Sequence, residues 1–315
     1  MLKYLIIQLD DTSTSFCSYE VAESSSPNLI SFENLKKAIH FAFLENLNIQ
    51  VVWPSYELPS QYIEVLNKIN HINIVPSKLS DEADVVVANS ITELNLISPN
   101  NSVVLRTTLN ETTANINLVA DCASLFSHLS IVFTDTASWS NDSLKEYQIF
   151  LNHLSKRIIH LYQNCQYPQI NLLTDRIFLN KMNNCNAGHE SIAICPDGNF
   201  YACPGFYFYR HHDSKLGSLD SGINIRNPQL YKLSHAPICS NCDAWQCRRC
   251  VLLNKKYTRE LNTPGRMQCV ISHIERNASR LLRKELINIG CIEATTLPIP
   301  EINYLDPFEN RKEWL

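Results

Sequence analysis

Residues 185–203 read CNAGHESIAICPDGNFYAC, and this stretch divides the chain into two styles of sequence. Ile192–Ile194 is an apolar run, Pro196-Asp197-Gly198 is a turn, and Phe200-Tyr201 is an aromatic run. That order predicts a β-hairpin over 192–202, because proline and aspartate favour turns and glycine tolerates positive φ. Gly188 is the first of only seven glycines in 315 residues. Cys185, Cys195 and Cys203 open a set of eight cysteines that continues with Cys239, Cys242, Cys247, Cys250 and Cys269.

Upstream of this stretch the rhythm is regular. LKYLIIQL (2–9) predicts a strand, and 32–46 a helix with Leu35, Ala38, Ile39, Ala42 and Phe43 on one stripe. Strands are expected at 47–53, 72–75, 84–88, 103–106, 129–134 and 170–173, and helices at 59–69, 143–163 and 175–182. Strands alternating with helices imply parallel strands joined by crossovers, hence a partial (β/α) barrel or an open α/β sheet. Downstream, turns and cysteines replace the rhythm until a terminal helix over 267–287. The expected organisation is an α/β domain over 1–183, a metal-binding domain over 184–290 and an extended tail over 291–315.

Composition excludes several functions. Net charge is −4, which gives no general electrostatic case for nucleic acid or an anionic membrane. The opening MLKYLIIQLDD is too short to span a bilayer and has no small-residue cleavage site. A cytoplasmic, reducing compartment is therefore expected, where twelve cysteines favour metal over a disulfide framework. The first 187 residues hold no glycine, so no dinucleotide fingerprint, P-loop or kinase loop can lie there.

The cysteine spacing carries the chemistry. Cys239-x2-Cys242-x4-Cys247-x2-Cys250 holds two Cys-x2-Cys turns, each able to aim two thiolates at one centre. Eight cysteines could supply two four-iron clusters of four thiolates each. Structural zinc accepts the same ligands. Zinc ribbons, however, separate their two Cys-x2-Cys turns by more than a dozen residues, and here four intervene. Iron–sulfur is the favoured reading, then zinc, then buried thiols. Cys17, Cys122, Cys165 and Cys291 are scattered and read as buried small hydrophobes.

Weaker candidates lie elsewhere. Asp10 and Asp11 end the first strand, where α/β folds place ligand groups, and Tyr56 and Glu57 follow the second. These four form a candidate peptide rim, with a cap or turn role as the plainer reading of the aspartates. A stand-alone enzyme acting at that rim is the weakest alternative. His211 and His212 read as a polar loop, and Trp245 as a cover over the metal. Arg248 and Arg249 read as countercharge to it. His273, Glu275 and Arg276 read as solvated surface.

The layout Cys185-x12-Gly198-x4-Cys203, four close cysteines and a last one resembles the SPASM domain, which follows the partial barrel of many radical SAM peptide-modifying enzymes. The middle spacing differs from that pattern, with x2, x4, x2 in place of x2, x5, x3. The radical SAM Cys-x3-Cys-x2-Cys motif is absent: after the first strand the chain reads DDTSTSFCSYE, with Cys17 alone. Over its length the chain resembles the CXXX repeat peptide maturases, through LIIQLDDTSTSFCSYE, NLNIQVVWPSYELP, CDAWQCRRCVLLN and NTPGRMQCVISHIERNASR.

That resemblance implies a degenerate partial (β/α) barrel of radical SAM type, a SPASM-like domain and a C-terminal helix. It implies an accessory subunit that forms no radical and binds one or two [4Fe-4S] clusters but no S-adenosylmethionine. The implied partners are a radical SAM enzyme, as a heterodimer, and a ribosomally made precursor peptide with CXXX repeats. It groups Cys185, Cys203, Cys250 and Cys195 at one cluster, and Cys239, Cys242, Cys247 and Cys269 at the other. A zinc-stabilised peptide-binding or assembly module with no redox role is the alternative.

Overall fold

The computed structural model describes residues 2–21, 26–179, 182, 185–209, 214–247, 250–294 and 298–299, with the side chains of 81 and 82 left out. The expected roles of His211, His212, Arg248 and Arg249, and nearly all of the tail, lie outside these residues. In chain order the elements begin with β1 (Tyr4–Gln8), α1 (Phe32–Leu44), β2 (Asn48–Val52), α2 (Ser60–Leu66), β3 (His71–Pro76) and β4 (Val85–Ala88). Next come β5 (Ser102–Thr107), α3 (Leu109–Ala114), α4 (Ile116–Leu125), β6 (His128–Phe133), α5 (Asn141–Gln163) and α6 (Asp175–Phe178). The last are β7 (Ser191–Ile194), β8 (Asn199–Tyr201), α7 (Pro204–Tyr209), β9 (Lys215–Ser218), β10 (Gly222–Ile223), α8 (Val251–Thr258) and α9 (Arg266–Asn288).

This is a mixed α/β fold with a parallel sheet. It forms two compact units, one of residues 1–87 and 186–236, the other of 88–185 and 237–315.

In the first unit β1 is the central strand, parallel to β2 on one side and to β7 on the other. The parallel order continues from β2 to β3 and β4. Leu5 and Ile7 are fully buried and Ile6 nearly so. Burial on both faces is what an unbroken apolar run demands of a central parallel strand, and each such side chain contributes about 1.5–3 kcal/mol. Beyond β7 the pairing turns antiparallel through β8, β9 and β10. The β7–β8 hairpin is the one expected at 192–202, with Gly198 at φ +74° in its turn. Gly188 also has positive φ, and a Cβ there would meet the Tyr231 ring at 2.2 Å.

In the second unit β5 and β6 pair in parallel. Ser140 and Ser143 cap the start of α5 reciprocally, as a capping box does. The expected strand at 170–173 is a turn that touches β6 through a single bridge, Ile170 to Leu129. The carboxamide of Asn171 explains this. Its Oδ1 accepts from Ile131 N–H and its Nδ2 donates to Ile131 O, so a side chain takes the rung a strand would have continued. The expected helix at 175–182 ends at Phe178. Helices α3 and α4 occupy a stretch the sequence reading leaves unassigned. Thr108 caps α3 by accepting from Glu111 N–H.

Candidate metal centre

Four of the eight cysteines line one cavity of the second unit, about 20 Å³ in volume. They are Cys239, Cys242, Cys247 and Cys269, and Gln268, Ser272 and His273 line it beside them. These are the four thiols grouped together by the family resemblance. A turn in which Cys242 N–H donates to Cys239 O (3.2 Å) brings the first two to the same side. Cys269 and His273 are one helical turn apart on α9 and face the same way. Ala244 N–H donates to Cys242 Sγ at 3.4 Å, and His273 Nε2 lies 3.6 Å from the same sulfur.

Buried charges immobilise the loop that carries these cysteines. Arg176 is 1 % exposed, and all five of its N–H donors are used. Nε donates to Trp245 O (2.9 Å), and the terminal nitrogens donate to Asn171 O (2.9 Å), Leu172 O (2.8 Å), Gln246 O (2.8 Å) and Glu275 Oε2 (2.5 Å). A guanidinium has five donors in a rigid fork, so one arginine satisfies all five acceptors. Tyr147 Oη donates to the second Glu275 oxygen at 2.6 Å. Asp175 accepts from Gln246 Nε2 (3.0 Å) and faces His128 Nε2 (2.9 Å). These bonds hold Gln246 at φ +57°, a left-handed conformation costing about 1–2 kcal/mol for a side-chain-bearing residue. Arg276 donates to Asp243 Oδ1 at 2.5 Å, with both side chains buried.

This overturns the reading of His273, Glu275 and Arg276 as solvated surface: they are 5 %, 1 % and 3 % exposed. The charges of Glu275 and Arg276 are tolerated because each pairs with an opposite charge from a distant segment, Arg176 and Asp243, which local periodicity does not reveal. Asp243, Cys242 and His273 each place a ligand atom within 4.8 Å of the others, the only such trio of metal-ligating side chains among the described residues. Trp245 is not among the residues lining the cavity; its carbonyl, held by Arg176, is what the loop uses.

The other four cysteines divide between the units. Cys195 and Cys203 are buried in the first, Cys195 just past β7. Burial, then the Asp197 and Asp11 carboxylates, push the Cys195 thiol well up. Cys185 is exposed and Cys250 half-buried, both in the second unit. Of the scattered thiols Cys122 is buried as expected. Cys165 is exposed, because it sits in the loop after α5 at φ +58°.

At the candidate rim Asp10 is fully buried. Its carboxylate accepts from Thr12 N–H (2.8 Å), Thr12 Oγ1 (2.5 Å) and Asn28 N–H (2.7 Å). Asp11 accepts from Tyr207 Oη at 2.6 Å. Burial first, then the neighbouring Asp10, raise the Tyr56 phenol. Glu57 is exposed beside it. The rim thus brings Asp10 and Tyr56 together and ties the aspartates into turns.

No family model matches the chain, and no curated protein sequence matches it. Solved structures do. A structure of anSMEcpe, an anaerobic sulfatase-maturating radical SAM enzyme, with bound AdoMet aligns over 91% of this chain and 96% of its own, with TM-score 0.64 and 13% identity. Another, with AdoMet and the Cp18Cys peptide, aligns over 92% and 100%, with TM-score 0.62 and 15% identity. The likeness is one of fold, spread along nearly the whole of both chains.

Proposed function

We propose that this chain is an accessory relative of the radical SAM enzymes that forms no radical itself. It acts in maturation of a ribosomally made precursor peptide with CXXX repeats, alongside a radical SAM enzyme with which it forms a heterodimer in the cytoplasm. Residues 1–183 serve as the degenerate partial barrel and 184–290 as the SPASM-like metal domain. The observation that carries this reading is the cavity where Cys239, Cys242, Cys247 and Cys269 meet, on a fold shared with an AdoMet-bound enzyme. Cys17 stands alone where such an enzyme needs three thiolates, which argues against AdoMet cleavage by this chain. The peptide in one anSMEcpe structure supports a peptide substrate.

The donor set fits an iron–sulfur cluster. Four soft thiolates face one space, and Cys242 receives an N–H···S hydrogen bond from Ala244, the kind of contact that stabilises cluster sulfurs. Thiolates sharing one zinc at 2.3 Å would stand about 3.8 Å apart, yet no three of them come within 4.8 Å of one another among the described residues. The cluster, when bound, supplies one-electron chemistry. The protein's part is to hold four thiolates, neutralise Asp243 with Arg276 and exclude water behind α9.

The zinc reading has its own observation: a cavity of about 20 Å³ is the size of a water molecule or a single ion. Iron and sulfide analysis after anaerobic purification tests the choice. Iron with matching sulfide, reduced in Cys239→Ala and Cys242→Ala proteins that remain folded, is the expected result. Stoichiometric zinc with negligible iron would sink the cluster.

A further inference from the structure

We infer that His273 is a positioning residue of this metal centre. Its Nε2–H donates to the Cys242 thiolate and, with Ala244 N–H, sets the centre's reduction potential. The inference rests on the iron–sulfur reading above and deepens it.

The geometry is specific. His273 is one turn along α9 from Cys269, is buried, and lines the cavity beside the four thiols. Its Nε2 is 3.6 Å from Cys242 Sγ, within hydrogen-bond reach of a sulfur. A metal ligand cysteine is deprotonated. A thiolate only accepts, so the imidazole nitrogen facing it must be the donor. Cys242 therefore receives two N–H donors, from opposite kinds of structure: a loop amide at 3.4 Å and a helix side chain.

Both donors are tied to one helix. Ala244 follows Asp243, which Arg276 pins from the next turn of α9. His273 and Arg276 share one face of that helix, so a single element carries the imidazole and anchors the loop it addresses. Arg276 also cancels the Asp243 charge, which would otherwise oppose the negative thiolate less than 5 Å away. Four thiolates already complete a cluster's ligand set. His273 is then a fifth group, and its place is beside a ligand sulfur. Hydrogen bonds to ligand sulfurs withdraw electron density and favour the reduced state.

The test is an anaerobic redox titration, followed by visible absorption, of wild type, His273→Phe and His273→Gln at matched iron and sulfide. His273→Phe keeps a ring and loses the N–H; His273→Gln keeps an N–H donor. The phenylalanine protein should hold its iron and favour the reduced state about tenfold less, ~59 mV lower for one electron. The glutamine protein should recover most of that shift. His273→Leu serves if the phenylalanine variant does not fold. A phenylalanine variant titrating with wild type at equal iron would overturn the inference. So would loss of all iron from folded phenylalanine and glutamine variants alike, which would make His273 a ligand. Wild type holding zinc and no iron would defeat the underlying reading, and the inference with it.

Discussion

At the end of β1, every carboxylate oxygen of Asp10 and Asp11 is taken, by a backbone amide, a hydroxyl, a phenol or the Asn28 carboxamide. Under α9 the arrangement is reversed. There the charged groups lie behind the cavity, locked into pairs with each other and with loop carbonyls, and the thiols face the space. The rim uses its chemistry to shape backbone. The cavity uses backbone and buried charge to present chemistry. A strand end in an α/β fold is thus a poor guide to the site by itself, because the carboxylates found there can be fully committed to holding the turn.

Three substitutions would break or sharpen this contrast. The largest effect should come from Arg176→Met. It leaves Glu275 buried without its cation and frees the Trp245 and Gln246 carbonyls, a loss of about 3–5 kcal/mol. Urea unfolding should show that loss, and iron bound at the proposed centre should be lost with it. Asp10→Ala removes three hydrogen bonds to a buried carboxylate at the rim. It should cost at least about 1.5–3 kcal/mol, the usual value of a single bond to a charged group, while any iron bound at the proposed centre stays at the wild-type level. Loss of iron from the proposed centre as well would show that the two regions are energetically coupled.

The smallest effect concerns acid stability of the first unit. Lys3 Nζ donates to Glu190 Oε1 at 2.7 Å, and this bond holds the Glu190 carboxyl below its ordinary range. A depressed carboxyl stabilises the fold above its ordinary value near 4.5, and that contribution is lost as pH falls through the folded value. Glu190→Gln should therefore flatten the acid limb of the stability curve slightly. The variant should converge with wild type at the lowest pH and leave the cysteine cavity untouched. An unchanged acid limb would mean that the pair contributes nothing.

The readable elements share one property, an unbroken local pattern. LIIQ over β1, the stripe Leu35-Ala38-Ile39-Ala42 on α1 and the Pro-Asp-Gly hairpin each report their structure within a dozen residues. The cysteine group was legible for the same reason: spacing alone placed Cys239 and Cys242 on one turn. What escaped was held by partners far away in sequence. Arg176 and Glu275 are 99 residues apart, and Tyr147 and Glu275 128 apart. On its own, the α9 segment SHIERNAS offers no apolar stripe, so its burial could not be read from it. Asn171 misled in the opposite sense, lying in an apolar stretch that looks like a strand and closing it with a side chain. Helix α8 was missed because VLLNKKYT follows the cysteines without a break in composition. No helix among the described residues is long and apolar enough to cross a membrane.

The fivefold grip of Arg176 also imposes a timetable. Its two nearest acceptors, Asn171 O and Leu172 O, emerge from the ribosome before it does. The other three come later, at Trp245, Gln246 and finally Glu275. At about 5–20 residues per second the guanidinium stays in water for about 5–20 s after its own synthesis. All the strands of the first unit, and every cysteine of the cavity, are made within that interval or before it. The cavity's cysteines are therefore all made before Glu275, the residue that completes this grip, and the last turn of assembly belongs to α9.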